Sequence, residues 1–143
     1  MEKLFVDTGA WCAIADSRDT NHLAALEYQK IVEKKKYRLV VTNYIWDELY
    51  TLLLSNVGYK KTIEFKQKLD KLVNANILEV IWVSEDMALE AWTVFEKYNT
   101  DKEWSFTDCV SYVVMKQLGI TEAFTFDRHF AQMGFLCRPL TRD

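Results

Sequence analysis

The sequence predicts an α/β fold in which a central, mainly parallel sheet of four or five strands is flanked by helices. Two observations carry this expectation. Short apolar runs such as LFV over 4–6 and AFTF over 123–126 alternate with longer segments of helical pattern, as in a parallel sheet covered on both faces. The 143 residues contain no repeat, low-complexity tract or Pro/Gly/Ser linker, so one domain spanning 1–143 is the expected organisation.

The elements follow in order. A strand over 4–6 is followed, after Gly9, by a helix over 9–15, and a longer helix covers 22–35. A strand over 39–41 leads into helices over 44–57 and 60–74, separated by Gly58. A strand over 78–81 precedes a helix over 85–98 and the polar loop NTDKEWSF. The next helix covers 108–118, capped by Thr107 and ended by Gly119. A strand over 123–126, a short turn or helix to Met133 and an edge strand near Leu136 complete the chain.

Half the residues are hydrophobic and 27% are charged, which excludes a disordered chain. MEKLFVDTGAW lacks the basic, apolar and small-residue pattern of a secretory signal, and no apolar run approaches a membrane span, so a cytoplasmic location is expected. Cys12, Cys109 and Cys137 are odd in number and widely spaced, and read as buried thiols rather than a disulfide framework or zinc motif. The net charge of −3 neither marks nor excludes a nucleic-acid binder. Lysines cluster in KKKYR and YKKTIEFKQKLDK, which read first as solvated helix faces. Most of the five tryptophans read as core or core-edge residues.

In open α/β sheets the ligand crevice lies beyond the carboxyl ends of the strands, so acids there come first. Asp7 directly follows Leu-Phe-Val, and Asp127 follows the strand over 123–126 in EAFTFDRHF. On the helix after Thr42, a rotation of about 100° per residue puts Ile45, Leu49, Leu52 and Asn56 on one stripe. Glu48 lies at its margin and Asp47 nearly opposite. Asp108 falls in the first turn of its helix, where the dipole favours an anion, on a face with Ser111, Tyr112 and Met115. Each acid alone also reads as a cap or surface residue. If the four converge, their repulsion calls for a shared cation, and Mg²⁺ or Mn²⁺ suits carboxylate ligands. His22 and His129 have no sequence neighbour at zinc spacing, and His129 reads as a packing, hydrogen-bonding or RNA-contact residue. The absence of GxGxxG, GxxxxGK[ST] and GxSxG weakens nucleotide-binding and serine-hydrolase readings.

Taken in order, FVDTGAWCAIAD, VVTNYIWDELYTLL, SFTDCVSYVVMKQLGI and EAFTFDRHFAQMGF resemble the PIN-domain family of metal-dependent nucleases, especially the small VapC-like toxins of type II toxin-antitoxin systems. The resemblance implies a three-layer PIN-like domain. It also implies that Asp7, Glu48, Asp108 and Asp127 are the catalytic, metal-binding acids, with Asp127 the more variable fourth. The implied activity is a divalent-metal-dependent endoribonuclease using Mg²⁺ or Mn²⁺. Its implied partners are an RNA substrate, a cognate antitoxin protein and a second copy of the chain in a dimer. The chain departs from the family pattern at Gly9, where members often carry a hydroxyl residue. Two other readings compete: a catalytically silent PIN-like RNA- or protein-binding module, and a phospho-acceptor domain, which lacks a paired DxD at Asp7.

Overall fold

The computed structural model describes residues 1–140. The elements are β1 (Lys3–Val6), α1 (Thr8–Ala15), α2 (His22–Lys35), β2 (Arg38–Thr42), α3 (Asn43–Asn56), α4 (Tyr59–Asn74), β3 (Leu78–Ile81), α5 (Glu85–Tyr98), α6 (Phe106–Leu118), β4 (Glu122–Phe124), α7 (His129–Gln132) and β5 (Leu136–Arg138). The five strands form one parallel sheet in the order β3-β2-β1-β4-β5, flanked by helices in a three-layer α/β arrangement. The chain therefore winds outward from β1 to β3 and then returns to the other side of β1. This reversal splits the connections leaving β1 and β4 and opens a crevice at their carboxyl ends.

Strand burial follows position in the sheet. Leu4, Phe5 and Val6 of central β1 and Val40 and Val41 of β2 are completely or almost completely buried. The outer strands β3 and β5 are only partly buried. α1, α3, α5 and α6 are started by side-chain oxygens that satisfy otherwise unpaired first-turn N–H groups. Thr42 Oγ1 accepts from Ile45 N at 3.2 Å at the start of α3, and Ser84 Oγ accepts from Met87 N at 3.2 Å at the start of α5. Among the described residues, no helix is long and apolar enough to cross a membrane.

Several local expectations are corrected. α6 begins at Phe106, and its cap is Ser105 rather than Thr107. Ser105 and Asp108 form a reciprocal pair that satisfies two backbone donors at once, which a cap at Thr107 cannot do. β4 ends at Phe124, short of 126; the buried Thr125 that follows gives its hydroxyl to Asp7 and its N–H to Arg138 O at 3.0 Å. The buried stripe of α3 is Ile45, Leu49 and Leu53, whereas Leu52 is 40% exposed and Asn56 is exposed. Relative to Leu49, Leu53 lies about 40° to one side and Leu52 about 60° to the other, so Leu53 takes the core position. Cys12 and Cys109 are buried as expected, but Cys137 on outer strand β5 is only half-buried. Trp11 and Trp104 are buried and Trp46 half-buried, while Trp82 and Trp92 are exposed.

The polar loop between α5 and α6 is pinned rather than loose. Asn99 Oδ1 accepts from Trp104 N at 2.8 Å, and Asn99 Nδ2 donates to Trp104 O at 2.9 Å. The Trp104 indole N–H donates to Gln132 Oε1 at 2.9 Å, tying the loop to α7. These bonds fix the approach to Ser105 and hence the first turn of α6.

Phe130 anchors the other wall of the crevice. It is fully buried, with ring centroids 6.3 Å from Phe5 and 6.5 Å from Phe135. Phe130→Ala is expected to lower unfolding free energy by about 3–5 kcal/mol, and Phe126→Ala, at a half-buried position, by less. Urea denaturation of both variants checks this ordering.

Candidate metal centre

The crevice is an open cleft of about 740 Å³ lined by all four acids singled out in the sequence, together with Ser105, Arg128 and His129. Each acid arrives from a different element. Asp7 leaves β1 and caps α1: its Oδ1 accepts from Thr8 N at 2.8 Å, and its Oδ2 accepts from Thr125 Oγ1 at 2.9 Å. Asp108 stands in the first turn of α6, where its Oδ2 accepts from Ser105 N at 3.1 Å. Asp127 follows β4 and accepts at Oδ1 from His129 N at 2.9 Å. Glu48 sits half-buried on α3, on the same flank as Leu52, and Asp47 is exposed as expected.

Thr125, which sequence reasoning passed over, and His129, which it read as a packing, hydrogen-bonding or RNA-contact residue, organise this group. Thr125 donates its hydroxyl to Asp7 and accepts from Asp127 N at 2.9 Å, so one side chain couples two acids 120 positions apart. The Thr-x-Asp spacing, a hydroxyl turn at the end of a strand, was the available signal. His129 Nδ1 lies 2.9 Å from Asp108 Oδ2 and 3.3 Å from Asp127 Oδ1. Sequence spacing could not reveal this contact, because Asp108 comes from another element. Asp108, Asp127 and His129 each offer a ligand atom, and these atoms lie within 4.8 Å of one another. Asp7 and Glu48 line the same cleft outside that tightest group.

The electrostatics are unfavourable without a cation. Glu103 adds a fifth carboxylate to the lining, against one arginine and one histidine. Asp7 is 6% exposed. Burial raises its carboxyl pKa from 3.8 to about 7, helped by the charges of Asp108 and Asp127 and opposed by hydrogen bonds from Thr125 and Thr8. Thr8 Oγ1 is buried with no hydrogen-bond partner, although Thr8 lines the cleft. Clustered carboxylates, an imidazole nitrogen and an unsatisfied hydroxyl form a donor set that suits a hydrated divalent ion. Gly9 also lines the cleft, and a Cβ built there meets nothing within 4 Å.

A larger cavity of about 1260 Å³ lies beside α1, α2 and α4, lined by apolar side chains including Trp11, Leu26, Phe65 and Leu69. Volume does not make it the reactive site, since none of the four predicted acids faces it. Lys36, Arg38, Lys61 and Lys68 line this cavity rather than the acid cleft, where among the described residues Arg128 is the only lysine or arginine in the lining. The lysine-rich segments therefore do not neutralise the acidic centre.

The PIN domain family model matches residues 4–136. The chain belongs to the PIN-domain family. This member is 27% identical over 133 residues to the 23S rRNA-specific endonuclease VapC20 of Mycobacterium tuberculosis, covering 93% of this chain and 95% of that protein. It is 31% identical over 127 residues to a VapC ribonuclease of Archaeoglobus fulgidus, covering 88% and 78% respectively. The crystal structure of Mycobacterium tuberculosis VapC20, a sarcin-ricin loop cleaving toxin, superposes on this PIN-domain chain with a TM-score of 0.78 at 27% identity, covering 93% and 96%.

Asp7 makes the stability of the ion-free protein depend on pH. Its carboxyl is harder to ionise folded than unfolded, so from about pH 4 to pH 7 the folded state keeps a proton the unfolded state has lost. This contribution to stability declines as pH rises through that window, and the penalty is complete above pH 7. Its size is on the order of 4 kcal/mol. Asp7→Asn is expected to unfold like wild type near pH 4 but at higher denaturant concentration at pH 8. Equal midpoints at pH 8 in chelator would contradict a buried, strained carboxylate.

Proposed function

We propose that this PIN-domain chain is a divalent-metal-dependent endoribonuclease that hydrolyses RNA phosphodiester bonds, acting as the toxin of a toxin-antitoxin pair. The observation that carries this reading is the meeting of Asp7, Glu48, Asp108 and Asp127 in one cleft at the reversal point of the sheet. Asp7, Glu48 and Asp108 hold Mg²⁺ or Mn²⁺, and Asp127 supports them. An ion held there would supply water activation at neutral pH and stabilisation of charge on the phosphoryl and leaving oxygens.

The protein's own groups fix the conditions for that chemistry. Thr125 and the first turn of α6 hold Asp7 and Asp108 in place before substrate arrives, so little reorganisation remains. Arg128 is exposed at the cleft and offers a planar donor pair to a phosphate. Single-stranded or looped RNA suits an open cleft, because its backbone and splayed bases are accessible. A cognate antitoxin and a second copy of the chain are the proposed protein partners. Exposed Trp82 and Trp92 are large aromatic side chains of the type enriched at such interfaces. A catalytically silent module is less well supported, since binding alone gives no reason to retain a buried, repelling Asp7.

Cleavage of a cellular RNA pool tests the reading. Cutting is expected with Mg²⁺ or Mn²⁺ and not with chelator. Asp7→Asn and Asp108→Asn should each slow it by roughly 100-fold or more, while Asp47→Asn leaves it unchanged. Metal-dependent cleavage that survives both cleft substitutions would overturn the assignment.

A further inference from the structure

We propose that His129 Nδ1 is a direct ligand of the divalent ion in this cleft, and that its nitrogen biases the site toward Mn²⁺ over Mg²⁺. The inference rests on the metal-dependent reading above and adds a ligand that the four acids do not include.

The distances support it. Nδ1 stands 2.9 Å from Asp108 Oδ2 and 3.3 Å from Asp127 Oδ1. Ligand atoms on neighbouring corners of an octahedron with bonds of about 2.1 Å lie roughly 3 Å apart. The separation of a hydrogen-bonded pair is thus also that of two adjacent ligands, and an ion seated to the side of the line joining them can bind both without spreading them apart. The ring is held for this task. His129 opens α7, its backbone N–H is fixed to Asp127 Oδ1, and the next residue, Phe130, is fully buried. Its side chain is only 18% exposed, so much of the ordering entropy of a ligand is lost on folding rather than on binding. Thr8, which follows Asp7, also lines the cleft.

Metal preference follows from the donor atoms. Mg²⁺ is bound through oxygen and releases its water reluctantly, whereas imidazole nitrogen suits transition ions. Replacing one oxygen of an all-carboxylate set by nitrogen therefore weakens Mg²⁺ relative to Mn²⁺. A competing role is a positioning one, in which His129 only orients the Asp108 carboxylate by hydrogen bonding. The two roles differ in whether nitrogen touches the ion.

Pulsed electron paramagnetic resonance of Mn²⁺ bound to the full chain distinguishes them. Wild type should show hyperfine coupling from a directly bound imidazole nitrogen, and His129→Asn and His129→Asp should lose it. The only other histidine, His22, has its Nδ1 2.6 Å from Ala13 O and does not line the cleft, so it does not confuse the signal. In competition titrations, His129→Asp, which restores an all-oxygen set, should lower the Mn²⁺ to Mg²⁺ affinity ratio by about tenfold or more. Thermal unfolding establishes that both variants are folded, and the wild-type spectrum stands without them. Bound Mn²⁺ lacking nitrogen coupling in a protein that still cuts RNA overturns the ligand assignment alone. Failure to bind either ion overturns the metal-dependent function as well.

Discussion

Thr125 joins the two halves of the doubly wound sheet at the point where the chain reverses direction. Its hydroxyl donates to Asp7, at the end of β1, and accepts from the N–H of Asp127, beyond β4. Asp7 N donates to Phe124 O at 3.0 Å, so the strand ladder continues to the edge of the cleft. Together these bonds set the separation of two carboxylates that would otherwise repel each other apart. Without them, neither the depth of Asp7 nor the direction of Asp127 would follow from the fold.

The remaining geometry reduces the same repulsion by other means. Asp7 caps α1 and Asp108 stands in the first turn of α6, so two helix N-termini direct N–H groups and positive dipole ends at the cleft. The Asn99 clamp around Trp104 keeps the α6 end from retreating. Even so, burial leaves Asp7 reluctant to ionise near neutrality. A protein under selection for stability alone would place an apolar or amide side chain there. On the proposed reading this acid is half of an interaction completed by a cation.

Much of this architecture was legible in the chain. Alternating strands and helices foretold the parallel sheet, and the strand-end position of Asp7 and the first-turn position of Asp108 foretold two walls of the cleft. Glu48 and Asp47 were separated correctly by helix rotation, even though Leu52 and Leu53 were not, because they straddle the core axis at similar angles. Thr125 escaped notice, and the partner of His129 could not be named, for a different reason. Their importance lies in partners 118 and 21 residues away, and local periodicity carries no information about such contacts. The lysine segments are surface, as helical patterning indicated, but only tertiary packing shows that Lys36, Arg38, Lys61 and Lys68 line the other cavity.

Gly9 sits in the wall of the cleft on α1, two residues from Asp7, with open space where a side chain would be. It belongs to no hydrogen bond that holds the acids. A side chain can therefore be added at position 9 without breaking a bond that positions Asp7 or Asp108, so the shape of this wall can change while the arrangement of the acids stays fixed.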